Sequence, residues 1–106
     1  MNIHGIGTDI VDVNRIKRSL KNKNILNRLF SKEEISKCNK LNNSINCYAK
    51  RFAAKEAFSK ALGTGVSKGI KFKEIEVKKN KLKKPFIKLN GNTMKISRKL
   101  IKEKNF

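Results

Sequence analysis

Residues 44–63 read SINCYAKRFAAKEAFSKALG, and this stretch carries the most complete helix pattern in the sequence. Asn43 or Ser44 can cap its N-terminus, because short polar side chains accept hydrogen bonds from the first helical N–H groups. Gly63 is a natural terminator, since glycine readily adopts the left-handed conformation in which many helices end. We therefore predict a helix from about Ser44 to Leu62. Its buried side is predicted to consist of small and aromatic residues, namely Ala49, Phe52, Ala53, Ala57, Phe58 and Ala61.

Shorter patterns precede this helix. Residues 2–13 are rich in Ile, Val and Gly and predict a strand. Residues 13–20 carry apolar side chains at helical spacing and predict a short helix. Residues 31–34, SKEE, match a capping box, in which the first and fourth side chains bind each other's backbone N–H groups. The capping box predicts a further helix, whose inward residues are Ile35, Cys38 and Leu41.

Two strand patterns and a last helix follow. Residues 72–78 alternate in character, and residues 85–89 form a second strand-like run after a turn rich in Lys and Asn. Asn92 is suited to cap the last helix, and its apolar face is formed by Met94, Ile96, Leu100 and Ile101. The order β-α-α-α-β-β-α predicts an α+β fold. We assign residues 1–106 to one domain, because a chain of this length allows little more.

The charge of the chain indicates an acidic partner. Lys and Arg number 27 against 8 Asp and Glu, which gives a net charge of +19. Such a surface attracts nucleic acid, acidic membranes, nucleotide cofactors or acidic proteins. A lysine excess along a whole chain is also what nucleotide bias in a gene produces, so charge alone does not choose among them. A small basic nucleic-acid-binding protein is therefore the alternative, although the sequence lacks Trp and any stacking platform of aromatic and basic residues.

The two cysteines match no zinc site. Cys38 and Cys47 are nine residues apart, and His4 is the only histidine, so the usual ligand spacing is missing. We predict that both thiols are reduced and structural. Apolar runs stay well below the roughly 20 residues that span a bilayer, and the N-terminus does not resemble a secretory signal. We therefore expect a cytoplasmic protein without a membrane partner.

Two short segments carry candidate chemistry. Asp9 lies in an apolar, glycine-containing segment, where it would form a salt bridge with a lysine, end an exposed strand or bind a ligand. Glu56 and Lys60 are four residues apart and share a helix face, which is also typical of an ordinary surface pair. If Asp9 met Glu56, the two carboxylates could hold Mg²⁺ and Lys60 could contact a phosphate.

The same two segments resemble the motifs of a known family. Residues 5–16, GIGTDIVDVNRI, are similar to the N-terminal motif of the holo-acyl-carrier-protein synthases, which are 4'-phosphopantetheinyl transferases. Residues 51–65, RFAAKEAFSKALGTG, are similar to their central motif almost without interruption. The motifs occur in the family's order and at a suitable separation, and the resemblance covers essentially the whole chain.

The resemblance implies roles for particular residues. Asp9 and Glu56 would hold Mg²⁺, and Lys60 would bind the phosphates of coenzyme A, so these three are the catalytic candidates. Further contacts with coenzyme A would come from Arg51, Gly63, Thr64, Gly65 and Pro85. Acyl carrier protein would dock on Arg15, with Arg18 and Arg28 as additional candidates.

The implied reaction is the transfer of 4'-phosphopantetheine from coenzyme A to a serine of apo acyl carrier protein, with release of 3',5'-ADP. It would depend on Mg²⁺, serve fatty acid biosynthesis and take place in a homotrimer, with no nucleic-acid partner. The general base stays open between Glu56 and a metal-ordered water.

The sequence departs from the family pattern in two ways. Lys83 stands where the family usually has Gly, two residues before the proline. The family also continues after the last helix into a strand with a Ser-x-Ser/Thr-His-like motif, which this sequence lacks. We therefore expect residues 1–106 to form a domain that is incomplete at its C-terminus. An inactive relic of the enzyme is a third interpretation.

Overall fold

The computed structural model describes residues 14–63 and 69–103. Residues 14–19 are helical. The elements that follow are α1 (Lys23–Leu29), α2 (Lys32–Asn39), α3 (Ser44–Leu62), a 3₁₀ turn (Phe72–Glu74), β1 (Ile75–Lys79), β2 (Pro85–Leu89) and α4 (Gly91–Glu103). Helices combined with an antiparallel strand pair confirm the α+β class. The strand predicted for residues 2–13 lies outside the described residues.

The bounds of α3 are confirmed, but the predicted buried side is partly wrong. The Asn43 side chain accepts a hydrogen bond from the N–H of Asn46 at 3.2 Å, and Gly63 ends the helix with a φ of 83°. Ala57 and Ala61 are exposed. The helix packs on α2 and β1 through a buried stripe, in which Lys55 is the charged residue. The stripe consists of Cys47, Tyr48, Ala49, Phe52, Lys55, Ser59 and Leu62.

The helix α1 was not predicted, whereas the capping box of α2 is confirmed. Asn22 caps α1, accepting hydrogen bonds from the N–H groups of Asn24 and Ile25 at 3.0 and 3.3 Å. In α2, Ser31 and Glu34 exchange side-chain and backbone hydrogen bonds of 2.9 and 3.2 Å. Leu41 is 55% exposed instead of turned inward, because α2 ends at Asn39 and the chain turns away there.

The surroundings of Glu74 differ from the prediction in two ways, at the start of β1 and at the N-terminus of α4. Residues 72–74 form a 3₁₀ turn where a strand was predicted, and β1 starts only at Ile75. The Glu74 carboxylate accepts hydrogen bonds from the N–H and hydroxyl groups of Thr93 at 3.2 and 2.7 Å. It therefore supplies the cap expected from Asn92, which lies inside α4. The strands β1 and β2 pair antiparallel, with Ile75 opposite Leu89.

Two apolar clusters hold these elements together. One surrounds Phe30, Tyr48 and Phe52 and includes Cys38 and Cys47; the other joins α3, β1 and α4 through Leu62, Ile75 and Leu100. Cys38 and Cys47 form a disulfide, so the prediction of reduced thiols is wrong. The reason is that the end of α2 and the start of α3 bring their Cα atoms to 5.5 Å, a separation that disulfides span.

Within residues 14–63 and 69–103, none of the helices has the length and apolar character needed to cross a membrane.

Candidate active site

A groove of about 770 Å³ lies where α1, α3 and the 3₁₀ turn meet. Its lining combines apolar and charged side chains: Arg15, Ser19, Ile25, Arg28, Leu29, Phe52, Glu56, Ile70, Lys71, Phe72 and Lys73. A cavity of this size is in the range of small-molecule and cofactor sites. The groove is therefore the candidate active site in the part of the chain that the structure describes.

Aromatic side chains form part of the groove wall. The rings of Phe52 and Phe72 lie 5.5 Å apart between centroids and are tilted by 56°. The guanidinium carbon of Arg15 lies 5.8 Å from the centroid of Phe52, within the range of a cation–π interaction. This contact orients a positive charge beside an apolar surface. The groove can therefore receive a ligand that is apolar on one side and acidic on the other.

The charges that line the groove are mostly positive. Arg15 and Arg28 come from the N-terminal helical segments, and Lys71 and Lys73 flank the start of the 3₁₀ turn. Among the described lining residues, Glu56 is the acidic side chain, and it is half-buried on α3. The arrangement places one carboxylate among cations, which suits a site that handles an anionic substrate.

The structure brings together three of the residues predicted for the site. Glu56, Arg15 and Arg28 line one groove, although they come from three helical segments. Lys60 is exposed one turn after Glu56 on α3, and Arg18 is exposed on the helical segment 14–19; the described lining of the groove includes neither.

Other predicted residues lie elsewhere or outside the description. Arg51 donates hydrogen bonds to the carbonyl oxygen and Sγ of Cys47 at 3.5 and 2.9 Å. Gly63 terminates α3 and Pro85 is exposed at the start of β2. Asp9, Thr64 and Gly65 lie outside the described residues, so the predicted pairing of Asp9 with Glu56 stays a prediction. No group of three or more His, Cys, Asp or Glu occurs as a metal site among residues 14–63 and 69–103.

An ion pair is buried beside the groove. The side chains of Lys55 and Glu34 are 0% and 2% exposed, and the Lys55 ammonium donates to Glu34 Oε1 at 2.7 Å. Burial lowers the pKa of Lys55, and the charge of Glu34 opposes that change. The ammonium also donates to the carbonyl oxygens of Phe72 and Ile75 at 2.7 and 2.6 Å. These contacts connect α2, α3 and the 3₁₀ turn.

Several lining residues were not predicted. Ile25 and Leu29 belong to α1, and the signal that could have revealed them is the Asn22 cap followed by apolar residues at helical spacing. Lys71 and Lys73 carried no such signal, because their placement depends on the 3₁₀ turn. Lys55 belongs to the central motif, but the sequence predicts no role for it.

Comparisons with known proteins find similarity along nearly the whole chain. The family model described as the 4'-phosphopantetheinyl transferase superfamily matches residues 5–104. The holo-[acyl-carrier-protein] synthase of Pelagibacter ubique is 48% identical over 106 residues, which cover 100% of this chain and 83% of that protein. The synthase of the same name from Buchnera aphidicola is 51% identical over 87 residues, 80% of this chain and 69% of that protein.

Solved structures of the same type are also similar. The crystal structure of holo-[acyl-carrier-protein] synthase from Neisseria meningitidis superposes with a TM-score of 0.69 at 33% identity, covering 88% of this chain and 73% of that one. The acyl carrier protein synthase of Plasmodium yoelii, solved with ADP bound, has a TM-score of 0.63 at 33% identity and covers 83% and 69%. From the family match over residues 5–104, the identity to these relatives and the shared fold, we conclude that this chain belongs to the holo-[acyl-carrier-protein] synthases of the 4'-phosphopantetheinyl transferase superfamily.

Proposed function

We propose that this protein transfers 4'-phosphopantetheine from coenzyme A to a serine of apo acyl carrier protein in fatty acid biosynthesis, releasing 3',5'-ADP. The observation that carries the proposal is the groove that Glu56, Arg15 and Arg28 line together. It joins a residue of the central family motif to two arginines that the resemblance assigns to carrier docking. Following the same resemblance, we propose a homotrimer in the cytoplasm.

The carrier is proposed to dock on the cationic and apolar side of the groove. Arg15, Arg28, Lys71 and Lys73 supply positive charge around the apolar side chains of Ile25 and Leu29. An acidic amphipathic helix is complementary to such a surface, because it can bury its apolar face and place carboxylates against the cations. Arg18, which is exposed on the same helical segment as Arg15, would extend this surface.

Glu56 is proposed as one ligand of a magnesium ion. Glu56 offers carboxylate oxygens from a half-buried position on α3, and Mg²⁺ prefers oxygen ligands and substrate phosphates. Asp9 would be the second ligand. When bound, the ion would neutralise charge on the diphosphate of coenzyme A. Arg51, Pro85 and the turn of residues 63–65 would contact the nucleotide.

The chemistry requires a proton acceptor and neutralisation of charge. The serine hydroxyl of the carrier attacks the β-phosphate of coenzyme A, loses its proton, and 3',5'-ADP leaves. Glu56 can accept that proton directly or through an ordered water, because it is the acidic side chain on the described groove wall. Lys60, one turn further along α3, would neutralise the leaving phosphate.

The first test replaces the carboxylate of Glu56. The purified chain is incubated with coenzyme A, Mg²⁺ and apo acyl carrier protein, and the modified carrier is quantified by mass spectrometry. Glu56→Gln should lower kcat by at least about 10²-fold, because it removes a proposed Mg²⁺ ligand together with one of the two candidate proton acceptors. Glu33→Gln, on an exposed residue of α2, is the matched control and should transfer normally. Wild-type protein that leaves the carrier unmodified would refute the proposed function for residues 1–106 and favour the interpretation as an inactive relic.

The second test addresses carrier docking. Arg28→Ala should raise KM for the carrier and leave KM for coenzyme A unchanged, because Arg28 lines the proposed docking side of the groove. The control is Arg98→Ala, which removes an exposed arginine from α4. Equal carrier KM values for the two variants would place the docking surface elsewhere. Tight binding of oligonucleotides, together with inactivity toward the carrier, would favour the nucleic-acid alternative.

A further inference from the structure

Lys55 and Glu56 are consecutive in α3 but have opposite environments. Glu56 lines the groove, whereas Lys55 is fully buried. Consecutive helical residues project about 100° apart, so one helix position faces substrate and the next faces the interior. The family motif contains both residues, and only Glu56 has a role in the reaction proposed above.

The Lys55 ammonium has a complete set of acceptors. It donates to Glu34 Oε1 at 2.7 Å and to the carbonyl oxygens of Phe72 and Ile75 at 2.7 and 2.6 Å. An ammonium has three donors, so each one has a partner. The ring of Phe30 lies 5.4 Å away. Loss of the ammonium would therefore leave three acceptors without this donor, and the contacts with Glu34 and with the Ile75 carbonyl are buried.

The Glu34 carboxylate also has hydrogen-bond partners besides Lys55. Its Oε1 also accepts the N–H of Ser31 at 2.9 Å, and its Oε2 accepts the N–H of Val77 at 3.0 Å. The carboxylate is thus attached to the start of α2 and to β1. A buried ion pair whose remaining hydrogen bonds are satisfied is a rigid connection between the elements that carry it.

The connection determines where one groove wall lies. The two carbonyl oxygens that Lys55 binds belong to the first residue of the 3₁₀ turn and to the residue just after it. Phe72 and Lys73 of that turn line the groove together with Glu56. Lys55 therefore ties the wall formed by residues 71–73 to the helix that carries Glu56, at the adjacent helix position.

We propose that Lys55 is a positioning residue for phosphopantetheine transfer, acting by holding residues 71–73 at a fixed distance from Glu56. The inference rests on the proposed function. Lys55 touches no reactant; it acts through the shape of the groove in which the carrier serine approaches Glu56. Misplacement of reacting groups by about 1 Å from a distant change costs about 100-fold in rate, so the effect should appear in kcat.

The test separates positioning from stability. Lys55→Met leaves Glu34 buried and unpaired, and Glu34→Gln with Lys55→Met removes both charges. The double variant should recover stability relative to Lys55→Met, because the unpaired charge is gone. It should nevertheless keep a kcat about 100-fold below wild type, with little change in either KM. A double variant that is folded and has wild-type kcat would overturn the inference.

Further measurements keep the inference falsifiable if these variants do not fold. Lys55→Arg retains the charge opposite Glu34, but its planar, longer fork cannot reproduce both carbonyl contacts. It should lower kcat in the same way, and wild-type kcat would refute the positioning role. Amide hydrogen exchange of residues 72–77 should accelerate in Lys55→Arg, and unchanged exchange would refute it even without an activity assay. Failure of the proposed function would appear instead as inactive wild-type protein.

Discussion

Glu33 and Glu34 are neighbours in α2, and each forms an ion pair with a lysine of a distant element. The Glu33 side chain is 48% exposed and lies 3.0 Å from the ammonium of Lys78 in β1. The Glu34 side chain is 2% exposed and lies 2.7 Å from the ammonium of Lys55 in α3. The two pairs have the same chemistry and similar lengths. They differ in access to water, so they show what burial adds to an ion pair.

Water competes with the exposed pair and not with the buried one. The hydrogen bond and charge of Lys78 lower the pKa of Glu33, and Glu33 raises the pKa of Lys78. Exposed pairs of this kind contribute little to stability, because solvent and salt screen them. The buried pair has lost its hydration, and its attraction together with four further hydrogen bonds must offset that loss. Removing one partner there leaves a charge without water or counter-ion.

The largest effect on stability is therefore expected from Glu34→Gln. This change preserves shape but leaves the Lys55 ammonium buried without its carboxylate. We expect a loss of about 3–5 kcal/mol in the free energy of unfolding, measured by urea denaturation. That is a large share of the about 5–15 kcal/mol available to a domain.

The double variant of Glu34→Gln and Lys55→Met sharpens the comparison. It should be more stable than Glu34→Gln alone, because it removes the unpaired cation. If Glu34→Gln unfolded at the same urea concentration as wild type, burial would not distinguish the two glutamates and the comparison would fail.

Features with local causes could be predicted from the sequence. The bounds of α3 follow from Asn43 and Gly63, which act within a few residues, and the capping box of α2 is equally local. The buried side of α3 could not be predicted in the same way. It includes Lys55, whose burial depends on Glu34, 21 residues away. A hydropathy pattern assigns a lysine to the surface, so it turned the predicted face toward Ala57 and Ala61.

The same distinction between local and distant causes applies to the candidate site. Glu56, Arg15 and Arg28 were identified through motifs and a family resemblance, and the structure brings them to one groove. The second wall, with Lys71 and Lys73, depends on a 3₁₀ turn held by contacts with α3 and α4. Alternating residues there predicted a strand, because the pattern carries no information about those distant partners.

The smallest effect is expected from Glu33→Gln, the matched change at the exposed glutamate. The urea midpoint should stay close to that of wild type at about 0.15 M salt. Any difference should vanish near 1 M salt, where charges are screened beyond about 3 Å.

The pKa shifts of Glu33 and Lys78 define the pH range in which their ion pair can contribute to stability. Because the pKa of folded Glu33 lies below its ordinary value of 4.5, its contribution is present above that pH and is lost as pH falls through the lowered value. Because the pKa of folded Lys78 lies above 10.5, its contribution is present below that pH and is lost as pH rises through the raised value. Urea titrations at neutral and acidic pH for Glu33→Gln, and at neutral and alkaline pH for Lys78→Gln, would measure the two limits of this pH range. A loss that persists at high salt, or that equals the loss in Glu34→Gln, would mean that the exposed pair is protected from solvent in a way its 48% exposure does not predict.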